Sequence, residues 1–326
     1  MTAFPRYNII MNISKSKNAD SSQPLKMTAF SRSNIMIKPI YEFLVWDNCK
    51  NNCKFCFQRK SPRIFDENGQ KTVLNSTLEF LDSEKYEKGS HVLIVGGELF
   101  DDIGRFNILH PFFEKISEKM ESGDIDLLYL NTNLIYEKEC CDKLISILEI
   151  FERKNLFERL KFTTSYDIYG RFVRPNSLKW FFLNLRGLRS RFKELKIVVN
   201  MILSKQMCEN VLRDKFSFKP FMFMEIQKVD VNFIPYIVLG EDMEPGRELV
   251  FDTIRKLHEQ NPRYIEDWLR NIDLKQPRRM FYYKDGEFIS CECQCSKCGH
   301  SENFKKYSKK GSCFVCDLKE VFNDCL

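Results

Sequence analysis

The sequence predicts an α/β protein built on a parallel sheet, because short apolar runs alternate with longer amphipathic stretches. Six such strand–helix repeats follow one another from about residue 40 to residue 260. An open doubly wound sheet and a partial barrel both satisfy this alternation. The 326-residue chain is long enough for one large domain and a small additional module.

The strands are predicted from runs rich in Val, Ile, Phe and Tyr that are too short for helices. They cover Tyr41–Trp46, His91–Val95, Leu127–Leu130, Leu160–Ser165, Leu195–Leu203 and Val231–Tyr236. The helices that separate them are predicted at Val73–Phe80, Pro111–Met120, Lys138–Phe151, Ser177–Leu188, Gln206–Asp214 and Gly246–His258. Asn75-Ser76-Thr77 and Asp82-Ser83 are cap-type residues that we expect around the first helix.

The two ends of the chain depart from this alternation. Residues 1–38 are predicted to be a flexible segment, in which the stretch M-T-A-F-P-R-Y-N-I recurs, 26 residues later, as M-T-A-F-S-R-S-N-I. The core domain is predicted to span residues 39–260, and a cysteine-rich extension residues 261–326. Within the extension, residues 260–280 have the composition of a connector. A hairpin is predicted to follow, with Asp285-Gly286 as its turn.

Composition argues against several classes of function. The chain has 51 Lys and Arg against 45 Asp and Glu, a net charge of +6. Residues 1–63 alone carry 11 basic and 3 acidic residues, so the remainder is slightly acidic and the chain does not resemble a globally basic nucleic-acid binder. No apolar run reaches membrane-spanning length and no secretory signal is apparent, so we expect a cytoplasmic protein with no membrane partner.

Cysteine usage points to metal rather than to disulfides. Nine of the 13 cysteines fall in two tight clusters. The first is Cys49, Cys53 and Cys56, in the order Cys-x3-Cys-x2-Cys. Three thiolates can hold a [4Fe-4S] cluster at three corners and leave the fourth iron open to a ligand. The alternative is structural zinc, which favours paired Cys-x2-Cys knuckles or histidines, yet the nearest histidine is His91.

The triplet, with Phe55 just before its last cysteine, resembles the motif of radical S-adenosylmethionine (SAM) enzymes. Forty residues later, the second predicted strand ends in Gly96-Gly97-Glu98. This resembles the family's G-G-E element, which holds the amino group of the methionine moiety. The resemblance covers residues 40–240 and 280–324. It implies a partial (β/α)6 TIM-type barrel with a small cysteine-rich C-terminal module.

The resemblance also implies roles for residues at later strand ends. Ser165 or Asp167, together with Asn200, would contact the ribose of SAM, and Arg171 would meet its carboxylate. Asn131 ends the third strand, and Phe55 would pack near the adenine. The implied reaction is reductive cleavage of SAM to a 5′-deoxyadenosyl radical, which abstracts hydrogen from a substrate. Flavodoxin or ferredoxin would be the electron donor. No general acid or base is predicted.

The second cluster contains the pattern C-x2-C-x14-C-x2-C, formed by Cys295, Cys298, Cys313 and Cys316. This spacing is close to that of a zinc ribbon. The preceding hairpin instead resembles the start of SPASM or twitch extensions, which carry auxiliary [4Fe-4S] clusters, so zinc and iron–sulfur both stay open. A peptide or protein is the leading substrate hypothesis. A nucleotide or nucleic acid is the rival, and a non-enzymatic metal-binding protein is the third alternative.

Overall fold

The computed structural model describes residues 38–54, 56, 64–217, 219–235, 245–271 and 278–291. Several sequence predictions fall outside these ranges. They concern the segment before residue 38, Phe55, and the second-cluster cysteines Cys295, Cys298, Cys313 and Cys316. None of the helices within the described ranges is long and apolar enough to cross a bilayer.

One eight-stranded sheet organises the described chain. Its strands are β1 Ile40–Leu44, β2 Ser90–Val95, β3 Ile125–Asn131, β4 Leu160–Tyr166, β5 Lys196–Leu203, β6 Asp230–Pro235, β7 Arg278–Lys284 and β8 Glu287–Cys291. Their order across the sheet is β6-β5-β4-β3-β2-β1-β7-β8. Every neighbouring pair is parallel except β7 with β8. The predicted α/β class and all six predicted strands are confirmed.

The strand order separates the two architectures that the sequence left open. A doubly wound sheet reverses its strand order at a switch point. Here β1 to β6 follow one another in sequence order without reversal, as in a TIM-type barrel. The sheet is open among the described strands, since no pairing joins β6 to β8. The fold is therefore compatible with a partial barrel.

Eight helices accompany these strands in the described ranges. They are α1 Glu67–Asp82, α2 Phe106–Glu121, α3 Lys138–Arg153, α4 Ser177–Arg191, α5 Lys205–Leu212, α6 Lys219–Ile226, α7 Arg247–Gln260 and α8 Pro262–Asn271. The six predicted helices are confirmed, and α6 was not predicted. The interpretation of residues 260–280 as a connector is wrong for α8. Pro262 opens that helix, where its fixed φ and missing N–H are tolerated.

The start of α1 also corrects the sequence analysis. The helix begins at Glu67, where the side chain of Asp66 accepts a hydrogen bond from Gly69 N at 2.7 Å. Thr77 lies inside the helix, fully buried, and donates its hydroxyl to Val73 O at 2.9 Å. Only the predicted cap at the C-terminal end is confirmed, since Ser83 donates its backbone N–H to Phe80 O. A carboxylate ahead of the first turn is the stronger start signal.

The two faces of the sheet are covered differently. On β1, Tyr41 and Phe43 are fully buried in the main core, and the Phe43 ring packs edge-on against Phe80 of α1, with 5.3 Å between centroids. The alternate residues Ile40 and Leu44 belong to a second, much smaller apolar cluster. Alternation along a strand sends neighbours to opposite faces. The helices therefore cover one face, and the second face carries the smaller cluster.

The predicted hairpin is confirmed as β7 and β8. Its turn residues Asp285 and Gly286 have φ values of 52° and 96°, as a type I′ turn requires. The hairpin also joins the main sheet, which the sequence did not indicate. β7 pairs in parallel with β1, and Phe281 stacks on Phe43 with ring centroids 5.8 Å apart. β1 is therefore flanked on both sides within the sheet.

Candidate active site

A cavity of about 370 Å³ opens where β1 to β4 end. Of the 11 predicted site residues within the described ranges, eight line it: Cys49, Cys53, Cys56, Gly96, Gly97, Asn131, Ser165 and Arg171. Residues separated by more than 100 positions in the chain meet here because parallel strands bring their carboxyl ends to one edge. Its volume lies in the range of small-molecule sites.

The glycine pair holds the loop that leads to the first cysteine. Gly97 N donates to Trp46 O at 2.7 Å, and Glu98 N donates to Asn48 O at 2.9 Å. A Cβ atom on Gly97 would lie 2.3 Å from Asn48 O, and one on Gly96 would lie 2.7 Å from Trp46 O. Both distances are far below van der Waals contact. The two glycines therefore allow the backbone after β2 to pack directly on the backbone after β1.

Glu98 faces the protein interior, only 2% exposed. Its carboxylate accepts hydrogen bonds from the Thr132 hydroxyl at 2.9 Å, from Phe100 N at 3.1 Å and from Asn133 N. Burial, and then the charge of Asp101, raise the pKa of Glu98 to about 7. The carboxylate thus ties the end of β3 to the end of β2. Its contact with a methionine amino group stays a prediction.

The buried ion pair of Asp101 and Arg105 supports the loop that carries Cys49. Asp101 accepts from Lys50 N at 2.5 Å through one carboxylate oxygen and from Arg105 at 2.9 Å through the other. Arg105 also donates to the Glu98 carbonyl. Burial raises the pKa of Asp101, although the hydrogen bond from Lys50 N and the Arg105 charge oppose that shift. These contacts fix the backbone directly after Cys49.

Two of the cysteine sulfurs receive hydrogen bonds from side-chain amides. Asn51 Nδ2 lies 3.1 Å from Cys53 Sγ, and Asn133 Nδ2 lies 3.8 Å from Cys49 Sγ. Among the described residues, no three His, Cys, Asp or Glu side chains form a group able to hold a single metal ion. A four-iron cluster does not require such convergence, because each thiolate binds a different iron.

In the absence of a bound cation, the thiols of Cys49 and Cys53 favour their protonated form. Desolvation, followed by the charges of Glu98 and Asp101, raises the pKa of Cys49 to about 12. Desolvation also raises the pKa of Cys53, opposed by the Arg171 charge. Iron binds the deprotonated thiolate, so loading would release these protons. Three soft sulfur donors, two of which have amide N–H groups directed at them, fit an iron–sulfur cluster.

The loop after β4 forms the opposite wall. Lys54 N donates to Gly170 O at 2.7 Å, so this loop packs against the cysteine loop. Asp167 is buried, and its carboxylate accepts from Tyr169 N at 2.9 Å. Burial raises the Asp167 pKa. Asp167 does not line the cavity, so its predicted contact with ribose would require an inward movement. Arg171 does line the cavity.

Of the remaining strand-end residues, two line the cavity and one does not. Asn131 lines the cavity, and its side-chain oxygen accepts from the Thr163 hydroxyl. Ser165 also lines it and is in register with Asn200 of β5. Asn200 lies outside the lining, and its side-chain oxygen accepts from Asn232 of β6 at 3.3 Å. The site therefore brings Asn131 and Ser165 together and leaves Asn200 one strand away.

Sequence reasoning missed several polar residues of the site. Asn51 was a detectable candidate, because it lies within the triplet, but its contact with sulfur depends on tertiary packing. Thr164 lines the cavity, and its hydroxyl is buried with no hydrogen-bond partner among the described residues. Asn51 Oδ1 is also buried without a hydrogen-bond partner among the described residues. Buried polar atoms without partners are uncommon, and at a cavity they are candidates for ligand contacts.

Comparison with known proteins gives a likeness to solved structures alone. No protein-family model matches the sequence, and no curated protein matches it. A solved structure described as native anSMEcpe with bound AdoMet aligns at 13% identity with a TM-score of 0.42. The alignment covers 72% of this chain and 61% of that chain. The chain thus spans less than two thirds of that protein's length.

Proposed function

We propose that this protein is a radical SAM enzyme. The observation that carries the proposal is one cavity at the strand ends, lined by Cys49, Cys53 and Cys56 together with Gly96 and Gly97. The cysteine motif and the G-G-E element lie in distant parts of the chain. Two backbone hydrogen bonds join them. A structural metal knuckle would have no need of such a cavity beside its thiols.

The three thiolates would hold a [4Fe-4S] cluster, which in this family supplies the electron that cleaves SAM to a 5′-deoxyadenosyl radical. The protein would hold the cluster, orient SAM beside it and shield both from water. Asp101 fixes the backbone after Cys49, and the loop after β4 fixes the backbone around Cys53.

Residues of the same cavity would bind SAM. The backbone at Gly96 and Gly97 is accessible from the cavity, and Arg171 offers a guanidinium to the carboxylate of the cofactor. Ser165 and the Thr164 hydroxyl lie on the neighbouring strand, in reach of a ribose. Asp167 and Asn200 would join them only as a second layer, because neither lines the cavity. Phe55 would pack near the adenine.

We propose a peptide or protein as the substrate, on the resemblance of the β7–β8 hairpin and the cysteines after it to SPASM or twitch extensions. In this proposal, Cys295, Cys298, Cys313 and Cys316 hold a second metal centre, and an acidic electron carrier such as flavodoxin or ferredoxin reduces the first cluster. The hairpin supports the proposal because it leads directly from the sheet, beside β1, into the second cysteine cluster. A nucleotide substrate remains the rival.

The test is anaerobic reconstitution with iron and sulfide, followed by reduction with dithionite in the presence of SAM. We expect 5′-deoxyadenosine from the wild-type protein and at least a 100-fold loss of its release in Cys53→Ala, because an iron would lose its ligand. Cys208→Ser is the matched control, since Cys208 is a buried cysteine on α5 outside the cavity. It should retain release.

Two outcomes would overturn the proposal. Reconstituted wild-type protein that binds iron but releases no 5′-deoxyadenosine would favour the non-enzymatic metal-binding alternative. Equal release from Cys53→Ala and wild type would remove the triplet from the site. Iron, sulfide and zinc contents of the wild-type protein, measured on the same samples, distinguish two iron–sulfur clusters from one cluster and a zinc ion.

A further inference from the structure

We infer that Asn51 and Asn133 are positioning residues that set the reduction potential of the cluster by donating amide N–H groups to the sulfurs of Cys53 and Cys49. This inference rests on the proposed function and deepens it. The two asparagines come from different parts of the chain, one inside the cysteine motif and the other after β3. They approach two different cysteines of the triplet.

The orientation of the Asn51 amide is fixed by its second partner. Asn51 is only 8% exposed, and its Nδ2 lies 3.1 Å from the Arg171 carbonyl oxygen as well as 3.1 Å from Cys53 Sγ. A carbonyl oxygen can only accept a hydrogen bond, so the NH2 end must face it. The two hydrogens of this group then serve Arg171 and Cys53. The opposite amide orientation would set two acceptors against each other.

The orientation of the Asn133 amide is fixed through its oxygen, whereas that of Asn51 is fixed through its nitrogen. Its Oδ1 accepts from Ile135 N at 2.5 Å, which leaves Nδ2 directed at Cys49 Sγ, 3.8 Å away. Its backbone N–H is held by the buried Glu98 carboxylate. Asn133 is therefore oriented from both ends by groups that do not belong to the cysteine loop. Glu98 acts on the cysteine through Asn133.

Hydrogen bonds to ligand sulfurs raise the potential of an iron–sulfur cluster. The reduced cluster carries one more negative charge than the oxidised cluster, and part of that charge resides on sulfur. An N–H group directed at the sulfur stabilises the reduced form more than the oxidised form. The one-electron reductant that supplies the charge is external, either dithionite or a low-potential carrier. Removal of an amide donor should therefore make the cluster harder to reduce.

The experiment is a redox titration of reconstituted full-length protein, followed by electron paramagnetic resonance of the reduced cluster. Asn51→Leu removes the donor at similar volume, and Asn51→Asp also adds negative charge. We expect a tenfold fall in the ratio of reduced to oxidised cluster at fixed potential for Asn51→Leu. This corresponds to about 59 mV for one electron. The ratio should fall further in Asn51→Asp. It should fall less in Asn133→Asp than in Asn51→Asp, because the Asn133 amide lies farther from its sulfur.

Asn75→Ala is the control, since Asn75 is an exposed asparagine on α1 and does not line the cavity. Its potential should equal that of the wild type. A merely structural role for Asn51 would lower cluster content equally in Asn51→Leu and Asn51→Asp and leave the potential of the loaded fraction unchanged, which would overturn the inference. If wild-type protein assembles no cluster at all, the proposed function fails instead. The two failures are therefore distinguishable.

Discussion

Gly97→Ala should strongly destabilise this protein, although the substitution adds one methyl group. The new Cβ would lie 2.3 Å from Asn48 O and 2.6 Å from the carbonyl carbons of Asp47 and Asn48. These are backbone atoms, which have no alternative rotamer. The loop before Cys49 must therefore move away from the end of β2. This movement breaks the hydrogen bonds from Gly97 N to Trp46 O and from Glu98 N to Asn48 O.

The magnitude follows from these contacts. Overpacking of a tight site costs about 1–3 kcal/mol. Each lost backbone hydrogen bond contributes about 0.5–1.5 kcal/mol. We therefore expect the free energy of unfolding to fall by about 2–6 kcal/mol, a large part of the roughly 5–15 kcal/mol of a typical domain. Iron loading should fall as well, because the displaced loop carries the first cysteine.

Gly187→Ala is the matched control for this measurement. Gly187 lies inside α4, and a Cβ atom there would meet nothing within 4 Å. Alanine is favoured over glycine in a helix interior by about 0.8–1.0 kcal/mol, so the control should be more stable than the wild type. Urea unfolding followed by circular dichroism compares the two variants. Gly97→Ala with a wild-type unfolding free energy would refute the close approach of the two loops.

Two further predictions concern Asn184 and Glu98, whose side chains hold the loop after β3. Asn184→Leu should lower the free energy of unfolding by about 2–5 kcal/mol, because the buried Asn184 donates to Leu134 O and Tyr136 O, which would lose their partner. The control is Leu183→Ala, since Leu183 is exposed. It should change the free energy of unfolding by less than about 0.5 kcal/mol in the same urea titration. Folding raises the pKa of Glu98 from 4.5 to about 7, so the protonated carboxyl stabilises the fold. This contribution is fully present below pH 4.5 and is lost as the pH rises towards 7. The free energy of unfolding should fall by about 3 kcal/mol over that range. Glu98→Gln should flatten this slope between pH 5 and 8, and an unchanged slope would contradict the assignment.

Local signals sufficed for the strands of the fold. Runs such as V-L-I-V before Gly96 combine β-branched residues with a length too short for a helix, so β2 was predictable. The start of α1 was missed because its first turn is polar, and the apolar spacing begins only at Val73. The helix α8 was missed because Pro262 suggested a break, whereas proline at a first helical position favours the start.

The candidate site divides in the same way. The cysteine triplet and the glycine pair were visible because spacing and backbone requirements are local. The partners of Glu98 were not, because they depend on where Thr132 and Asn133 lie after folding. The sequence suggested that Glu98 would face a ligand, yet burial directs its carboxylate into the protein. Which way a side chain points at a strand end is a tertiary property.

The pairing of β7 with β1 has a consequence for the order in which the chain folds. Residue Ile40 is in register with Arg278, so one edge of the strand that leads to Cys49 is completed by a segment more than 230 residues later. During synthesis, β1 can pair with β2 early, but its other edge stays exposed until β7 emerges from the ribosome. Contacts of such long sequence separation form slowly. The loop that carries Cys49 therefore reaches its final support only after residues 278–284 have been made.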